Sequence, residues 1–417
     1  MGRQIVIIGA GVIGVSTAYY SLKKGHNVTL IERASENAEG CSYGNAGMIV
    51  PSHFVPLAAP GMVALGLKWM WDPESPFYVK PRFDAELLAW GLRFWRAATP
   101  ERVNRAAPVL RDLHLASRDC FAQLAQVSGN DFGLVTKGLL MLCQTRHALD
   151  EESKAAEQAL RLGVPAEVLD ARRTAALDPN ARMEIAGSVY FPKDCHLSPG
   201  RFMAGMKLQV KQLGGKFVYQ TEATGWRQSG QRIEALRTQD GELHADEFVL
   251  CGGSWSSSLA RELGLRIPMQ AGKGYSLTLP HPRQLPEICT ILTEARVAVT
   301  PMGKALRVGG TMEISGLNEE INPRRVQGII KSFVRYYPDF KQEDFANIHP
   351  WSGLRPCSPD GLPYVGRTRR FSNLSIATGH SMMGLSLGPI TGKLMAEILS
   401  HERSSIEISL LHPDRYG

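Results

Sequence analysis

The stretch RQIVIIGAGVIGVSTAYYSLKKGHNVTLIER (residues 3–33) decides the fold of this chain. Its β-branched run at 5–8 predicts a buried parallel strand, and the apolar pattern after the glycines predicts a helix. A second strand is predicted at 28–31, and it is followed at once by Glu32, which lies 18 positions after Gly14. A G-x-G-x-x-G turn between strand and helix, with an acidic residue ending the next strand, is the dinucleotide-binding fingerprint.

Each residue of this fingerprint has its own physical task. Gly9 allows the tight turn, Gly11 lets a pyrophosphate approach the backbone, and Gly14 lets the helix pack closely on the strand. The helix N-terminus offers free N–H groups to phosphate oxygens, and Glu32 accepts hydrogen bonds from the ribose hydroxyls. The fingerprint alone fits FAD and NAD equally. Its position at the start of a long chain, and the small residues of SYGNAG (42–47), which admit a flat ring, favour FAD.

Length and composition indicate an ordinary soluble globular protein of more than one domain. The chain has 417 residues, a net charge of +7 and a pI near 9.0. Its basic residues are scattered, so no nucleic-acid partner is expected. Seven cysteines without a C-x-x-C indicate a reducing compartment and no disulfide framework. The chain begins directly with a strand, so we expect no secretory signal and a cytoplasmic location.

One apolar stretch suggests contact with a membrane. FVPLAAPGMVALGLKWMW (54–71) contains two prolines, two glycines and a lysine, which excludes a regular spanning helix. It is a candidate for peripheral contact with the inner face of the cell membrane. Packed core, or a lid over the cofactor, is an equally good interpretation.

The motifs that bind the cofactor are dispersed along the chain. A buried strand at 248–251 is followed by Gly252 and Gly253, and another at 373–378 leads into a glycine loop and a closing helix. These elements repeat the strand–glycine–helix order of the N-terminus. They predict a discontinuous FAD-binding domain formed by 1–51, 185–262 and 350–417. A substrate domain, 52–184 and 263–349, is inserted between these parts.

The motifs taken together resemble a known family. GAGVIG…IER, SYGNAG, VLCGGSWS, GKGYSL and GLRPCSPDGLPYVG…IATGHSMMGLSLGP are similar to the amine-oxidising FAD enzymes. These include D-amino acid dehydrogenase, glycine oxidase, sarcosine oxidase and D-amino acid oxidase. Residues 52–82 most resemble bacterial D-amino acid dehydrogenases, and among these the branch acting on D-proline or cis-4-hydroxy-D-proline.

The resemblance implies a fold and a reaction. The fold is α/β, with a Rossmann-like FAD-binding domain and an inserted α+β substrate domain built on an antiparallel sheet. The substrate lies between the flavin and this sheet. A D-amino acid is oxidised by hydride transfer from Cα to flavin N5, and the electrons pass to a quinone or another carrier.

Three residues are candidates for substrate handling. The arginine of the G-L-R-P motif holds the substrate carboxylate in the family, which points to Arg355, on a stiff Pro- and Gly-rich loop. The alternative is that Arg355 pairs internally with Asp360. Tyr275 is either a second donor to the carboxylate or a core tyrosine. His53 is either a catalytic acid or base, or, alternatively, a packed residue whose ring is hydrogen-bonded within the protein.

The cofactor contacts are predicted from the fingerprint and the resemblance. No metal ligands are predicted. The candidates are Gly9, Gly11, Val12, Ile13, Gly14, Glu32, Arg33, Ser42, Asn45, Ala46, Gly47, Met48, Ala223, Gly252, Gly253, Gly379, His380, Met383, Gly384, Leu385 and Ser386.

The chain departs from the glycine oxidases after its last glycine loop. Met382 and Met383 stand where those enzymes carry a second arginine, which disfavours glycine and suggests room for an apolar or cyclic side chain. Cys357 raises the alternative of covalent flavin attachment. A glycine- or sarcosine-type oxidase using oxygen, a tRNA-modifying flavoprotein and a flavin-binding scaffold without amine chemistry remain alternative functions.

Overall fold

The N-terminal unit forms as the sequence predicts. The computed structural model describes residues 2–70, 72, 74–127 and 129–417. Strand β1 (Gln4–Ile8), helix α1 (Val12–Lys23) and strand β2 (Asn27–Ile31) follow one another. β1 pairs in parallel with β2, and Ile7 lies opposite Leu30. Four of the five β1 residues are buried because both faces of the sheet are covered.

Several other helices begin at residues with strong capping preferences. Asp84, Thr99 and Asn322 each accept a hydrogen bond from a backbone N–H of the first turn that follows, and a proline comes directly after Thr99 and Asn322. Within 84–128 the apolar residues recur at i, i+3 and i+4, which predicts helices there, and the second and third helices of the following set confirm this. The remaining helices are α2 (Met62–Trp69), α3 (Ala85–Ala97), α4 (Pro100–Leu124), α5 (Arg146–Arg161), α6 (Ala171–Leu177), α7 (Pro199–Gln212), α8 (Ser256–Glu262), α9 (Pro323–Tyr336) and α10 (Gly384–Leu399).

The strands are mostly short. They are β3 (Met48–Ile49), β4 (Phe77–Val79), β5 (Leu139–Cys143), β6 (Glu167–Asp170), β7 (Gly187–Phe191), β8 (Cys195–His196), β9 (Lys216–Val218), β10 (Ala223–Ser229), β11 (Arg232–Thr238), β12 (Gly241–Leu243), β13 (Glu247–Leu250), β14 (Gln270–Leu279), β15 (Cys289–Leu292), β16 (Val297–Met302), β17 (Ala305–Ile314), β18 (Trp351–Cys357), β19 (Tyr364–Arg367) and β20 (Leu374–Thr378).

Two large sheets organise the described residues. The first has six strands in the order β19-β20-β13-β1-β2-β9, parallel except for β19. The second has nine strands in the order β18-β14-β17-β16-β15-β5-β7-β6, with β4 paired to β17. Most of its pairs are antiparallel. The predicted fold class is therefore confirmed: a Rossmann-like sheet is combined with a domain built on an antiparallel sheet.

Helices α1 and α10 pack closely against each other beside the first sheet. A Cβ at Gly388 would lie 2.6 Å from the Val12 side chain, and one at Gly392 would lie 2.4 Å from the backbone of Ser16. Glycine at both positions lets the two helices approach at backbone distance. This contact joins the first and last helices of the chain and brings their N-termini to the same region.

The pairing of three segments differs from the prediction. β7 and β18 belong to the nine-stranded sheet, although the ranges 185–262 and 350–417 place them with the cofactor domain. The sequence predicts a loop around Arg355, but this residue lies in β18. This is an edge strand, where the missing N–H of Pro356 is tolerated. The short apolar run FGLV at 132–135 predicts a strand, but in the described residues it contributes only an isolated bridge, from Val135 to His196.

Residue 71, the last of the apolar stretch 54–71, lies outside the described residues. Within 54–70, α2 is the longest element of regular structure. Within the part of the chain that the structure describes, no helix is both long and apolar enough to cross a bilayer.

Candidate active site

The turn between β1 and α1 is shaped to accept a pyrophosphate. Gly9 has φ +103°, and a Cβ there would lie 2.6 Å from the carbonyl oxygen of Cys251. A Cβ at Gly14 would lie 1.9 Å from the carbonyl oxygen of Gly9. A Cβ at Gly11 meets only Ser42 Oγ, at 3.7 Å, so the space before the helix N-terminus is open. The fold requires Gly9 and Gly14, while Gly11 leaves room for phosphate oxygens.

Glu32 lies beside this turn, directly after β2. Its Oε2 accepts a hydrogen bond from Ala10 N at 2.8 Å, and its Oε1 accepts one from Ala34 N at 3.0 Å. Backbone groups therefore fix the carboxylate next to the phosphate turn. Arg33, which follows, stacks its guanidinium 3.6 Å from the ring centroid of Trp255, between β13 and α8.

Three further predicted contacts lie at the same edge of the first sheet. Gly252 and Gly253 follow β13; Gly253 has φ +55°, and a Cβ there would meet no atom within 4 Å. Ala223 begins β10 and packs on a hydrophobic cluster that includes Ile8 and Ile31, the last residues of β1 and β2. The carboxyl ends of β1, β2 and β13 thus meet here, as they do in dinucleotide-binding sheets.

The segment 42–48, named here the cofactor loop, is tied to the start of α1. Ser42 Oγ accepts a hydrogen bond from Val12 N at 3.0 Å, and Asn45 Oδ1 accepts one from Gly47 N at 2.8 Å. β3, which begins at the end of this loop, pairs with β8. The remaining predicted residues of this region pack on one core cluster: Ile13, Ala46 and Met48.

Arg307 is a residue of the site that the sequence did not reveal. It lies on β17 and donates to the carbonyl oxygens of Tyr43 and Asn45, at 2.7 and 2.8 Å, and to Thr278 Oγ1 at 3.0 Å. Burial lowers its pKa from the ordinary value. One buried guanidinium therefore attaches the cofactor loop to the nine-stranded sheet. The alternation in ALRVGG places Arg307 on one face of the strand, but only the tertiary structure shows that this face contacts the cofactor loop.

The last glycine loop delivers the N-terminus of α10 to the site. Gly379 has φ +79°, and a Cβ there would lie 2.7 Å from the Tyr364 ring. Met383 precedes α10 without a side-chain cap, and Gly384 is open apart from a 3.7 Å approach to His380 Cβ. Leu385 is buried in the core. Within the described residues no side chain caps this helix, so its first N–H groups can bind a partner that carries negative charge.

Two predicted cofactor residues at this loop have protein partners. His380 is buried, and its Nε2 is 2.9 Å from Thr391 Oγ1; burial lowers its pKa to about 3. Ser386 Oγ accepts a hydrogen bond from Val50 N at 3.1 Å and lies 3.0 Å from His114 Nδ1. Both side chains hold α10 and its neighbours in place.

Arg355, on β18, extends over the neighbouring strand β14 of the nine-stranded sheet. A Cβ at Gly274, on the neighbouring strand, would lie 2.0 Å from Arg355 Nη2, so the guanidinium rests directly on the glycine. Its Nη1 donates to the carbonyl oxygen of Thr311. Burial lowers the pKa of Arg355, but an arginine stays protonated in proteins. Among the described residues, no carboxylate lies within salt-bridge distance of it.

The alternative pairing of Arg355 with Asp360 is wrong. Asp360 receives two hydrogen bonds from Arg415, at 2.7 and 3.0 Å. Burial acts to raise the pKa of Asp360, but Arg415 outweighs it and holds the pKa below its ordinary value. The carboxylate nearest in sequence is therefore already neutralised, and Arg355 keeps hydrogen-bonding capacity for an external anion.

For Tyr275, the structure shows the core alternative. Its ring belongs to the hydrophobic cluster that includes Ile329 and Phe333 of α9. Because Arg355 lies over Gly274, the adjacent residue Tyr275 points to the opposite face of the sheet. Its hydroxyl donates to Glu313 Oε2 at 2.7 Å, and burial together with this carboxylate raises its pKa. The prediction that Tyr275 binds the substrate carboxylate has no geometric support.

His53 is one end of a hydrogen-bonded chain. Its Nδ1 is 2.9 Å from Ser52 Oγ, which donates to Asp194 Oδ2 at 2.5 Å. Burial, and more weakly Arg296, lowers the pKa of His53 to about 4. Burial raises the pKa of Asp194 to about 7. His53 is thus neutral at ordinary pH, with Nδ1 oriented by the serine.

Cys357 lies at the end of β18, where its thiol is fully buried. Its Sγ is 3.4 Å from Ser381 Oγ, and burial raises its pKa. The structure therefore disfavours the thiolate that covalent attachment of a flavin requires.

The residues present fit a bound FAD. An open glycine turn at a helix N-terminus, an anchored acidic residue after the second strand and a small-residue loop lie along one edge of the sheet. A second free helix N-terminus, that of α10, completes this edge. Arg355 occupies the facing sheet.

Comparison with known proteins identifies the family. The family model described as DAO, FAD dependent oxidoreductase, matches residues 4–398. The chain therefore belongs to the FAD-dependent oxidoreductase family, and it is an oxidoreductase whose cofactor is FAD.

Individual relatives cover the whole chain. D-amino acid dehydrogenase from Bradyrhizobium diazoefficiens is 32% identical over 99% of both chains, and that from Allorhizobium ampelinum is 34% identical over 99% of both. Glycine oxidase from Geobacillus kaustophilus superposes with a TM-score of 0.79 at 22% identity, covering 99% of this chain and 98% of the other. L-proline dehydrogenase from P. horikoshii gives 0.75 at 16% identity, covering 100% and 98%. The two structures show the fold alone.

Proposed function

We propose that this protein is a D-amino acid dehydrogenase in which Arg355 binds the substrate carboxylate. The observation that carries the proposal is a partly buried guanidinium with no carboxylate partner among the described residues. Strand register places it over Gly274, on the same face of the sheet as Arg307, which attaches the cofactor loop. A planar, permanently charged fork suits a carboxylate, and little entropy is lost because Gly274 and Thr311 already hold it. The similarity to curated D-amino acid dehydrogenases over the whole chain supports the substrate class.

The chain's residues bind and orient the substrate. FAD, when bound, accepts the hydride from the substrate Cα. Arg355 fixes the carboxylate and thereby limits the directions in which the Cα–H bond points, so orientation contributes much of the rate enhancement. The low pKa of His53 makes it too weak a base to deprotonate an ammonium group, so the substrate amine is expected to react in its neutral form without a dedicated general base. Oxidation gives an imino acid, which hydrolyses or, for a cyclic substrate, is released as the cyclic imine.

The decisive experiment is anaerobic reduction of the bound flavin by D-amino acids. Arg355→Ala is expected to retain FAD and to lower kcat/KM about a hundredfold or more, equivalent to about 2.7 kcal/mol. Arg324→Ala, which removes an exposed arginine at the start of α9, is the matched control and should leave the kinetics unchanged. Unchanged reduction kinetics in Arg355→Ala would refute the assignment.

We further propose a preference for D-proline or cis-4-hydroxy-D-proline. It is supported by Met382 and Met383, which stand where glycine oxidases carry an arginine, and by the resemblance of 52–82 to this branch. Rates of flavin bleaching by these two imino acids, D-alanine, glycine, sarcosine and L-proline would rank the substrates. Fastest reduction by glycine or sarcosine would favour the oxidase alternative instead.

We propose that the electron acceptor is a quinone reached at a membrane surface. The support is an apolar surface on α3, whose outward stripe consists of Leu88, Leu92 and Trp95, exposed by 70, 47 and 62%. The inward stripe of the same helix, including Trp90, packs on the core. Leu67 of α2, within the stretch suggested by the sequence, is 60% exposed. Oxygen consumption compared with reduction of a quinone analogue would separate an oxidase from a dehydrogenase.

A further inference from the structure

The strand pair β14–β17 contains a bulge directly beneath Arg355. Lys273 lies opposite Glu313, but Tyr275 lies opposite Gly310, so Gly274 faces two residues of β17. One of the two, Thr311, has φ +68°. A β-branched residue in this region is strained and persists only where its surroundings hold it.

This bulge forms the seat of the Arg355 guanidinium. The guanidinium rests on Gly274, where any Cβ would collide with it, and its Nη1 donates to the carbonyl oxygen of Thr311. The left-handed conformation of Thr311 sets the direction of that carbonyl. Arg355 therefore depends on the bulge for its position.

A buried charge cluster lies on the opposite face of the same bulge. We name it the Glu313 cluster, and it consists of Glu313, Lys273, Tyr275 and Arg325, which are exposed by 6, 2, 1 and 3%. Tyr275 Oη is 2.7 Å from Glu313 Oε2, and Lys273 Nζ is 3.4 Å from Oε1. Arg325 Nε, from α9, is 3.8 Å from Oε2.

The cluster links both strands across the bulge. Lys273 and Tyr275 are the two residues that flank Gly274 on β14, and both contact the single carboxylate of Glu313 on β17. Lys273 Nζ also donates to the carbonyl oxygen of Glu320 at 2.6 Å, and Arg325 Nη1 donates to that of Ser75 at 2.8 Å. The register shift is thus fixed by contacts on the side of the sheet away from the cofactor.

We propose that the Glu313 cluster is a positioning device for Arg355, and that Tyr275 and Glu313 set the affinity for the substrate carboxylate through the bulge. This inference rests on the proposed function of Arg355. Two buried cations share one buried carboxylate here, which is costly unless the arrangement is fully hydrogen-bonded. The Glu313 cluster lies directly behind Thr311, the strained residue whose carbonyl oxygen binds Arg355, and this location points to the role.

The test variant is Tyr275→Phe, which removes one hydroxyl and keeps the ring and all three charges. Tyr337→Phe is the matched control, because Tyr337 is also fully buried in the same hydrophobic cluster but its hydroxyl is 2.8 Å from Thr290 Oγ1. Both variants are compared as FAD-loaded enzyme, with thermal unfolding confirming that they fold. Calorimetric titration with propionate, a carboxylate without an amine, measures binding independently of turnover.

Tyr275→Phe is expected to weaken propionate binding about tenfold and to raise KM more than it lowers kcat, with FAD content unchanged. Tyr337→Phe is expected to match the wild type in both. The inference would be overturned if Tyr275→Phe bound propionate with wild-type affinity, or if both tyrosine variants lost affinity equally. In either case the role of Arg355 would stand, provided that Arg355→Ala abolishes propionate binding. Propionate binding that survives Arg355→Ala would instead refute the proposed function.

Discussion

A methyl group added at Gly14 would lie 1.9 Å from the carbonyl oxygen of Gly9, whereas one added at Gly11 would meet only Ser42 Oγ at 3.7 Å. Gly14→Ala is therefore expected to destabilise the fold by more than about 3 kcal/mol, since the obstacle is backbone. Gly11→Ala is expected to fold normally and to bind FAD at least about tenfold more weakly. Chemical unfolding and fluorescence titration of the apoprotein with FAD measure the two effects. Equal FAD affinity in Gly11→Ala and wild type would contradict this interpretation of the turn.

The buried carboxyl of Asp194 predicts a pH dependence of stability. Burial raises its pKa to about 7 in the folded protein, above the ordinary value of 3.8. The folded state therefore binds the proton more tightly, so this group's contribution to stability falls as pH rises from about 4 to about 7. Asp194→Asn, which cannot ionise, removes this contribution.

The measurement is the free energy of unfolding at pH 5 and pH 8. Relative to Asp194→Asn, the wild type is expected to lose on the order of 2–3 kcal/mol between these values. The buried histidines affect both proteins equally and cancel in the difference. Asp119→Asn, on the surface of α4, is the control and should show no such change. A constant difference between wild type and Asp194→Asn would mean that the carboxyl titrates normally.

At the scale of elements, α3 is unusual because it is apolar on two opposite sides. Its outward stripe of Leu88, Leu92 and Trp95 is exposed, and the basic side chain of Arg96, on the same helix, is exposed as well. Leu92→Gln with Trp95→Gln is expected to reduce binding to vesicles of anionic lipid at least about fivefold, with the melting temperature unchanged. Flotation with the vesicles measures this. A lowered oligomeric mass without a change in flotation would identify the stripe as a protein interface.

At the scale of the whole molecule, the cofactor site is assembled from distant parts of the chain. The glycine turn, the cofactor loop, β13 and α10 meet only when the fold is complete. We therefore expect FAD to bind the folded protein and not the unfolded chain. FAD at a free concentration of 100 Kd is expected to stabilise the apoprotein by about 2.7 kcal/mol. Thermal unfolding with and without FAD measures it, with NAD as the control. An equal shift with NAD would argue against a flavin-specific site.

Local sequence pattern is sufficient to predict the first and last helices and the strand ends that form the cofactor edge of the first sheet. The fingerprint of 3–33 predicts β1, α1, β2 and the position of Glu32, because strand and helix periodicity and glycine turns are short-range properties. The fold class is implied by the order of the motifs together with the family that they resemble. The G-L-R-P motif points to Arg355 through the same resemblance, although the segment is an edge strand rather than a loop.

The sequence by itself determined that this chain folds around a dinucleotide and presents an arginine near its C-terminal end. Only the tertiary structure decided what Arg355 meets, which face Tyr275 occupies and that Arg307 anchors the cofactor loop. The physical reason is that strand pairing joins residues far apart in the chain. The bulge at Thr311 then shifts the alternation of side chains at the point where the site is built.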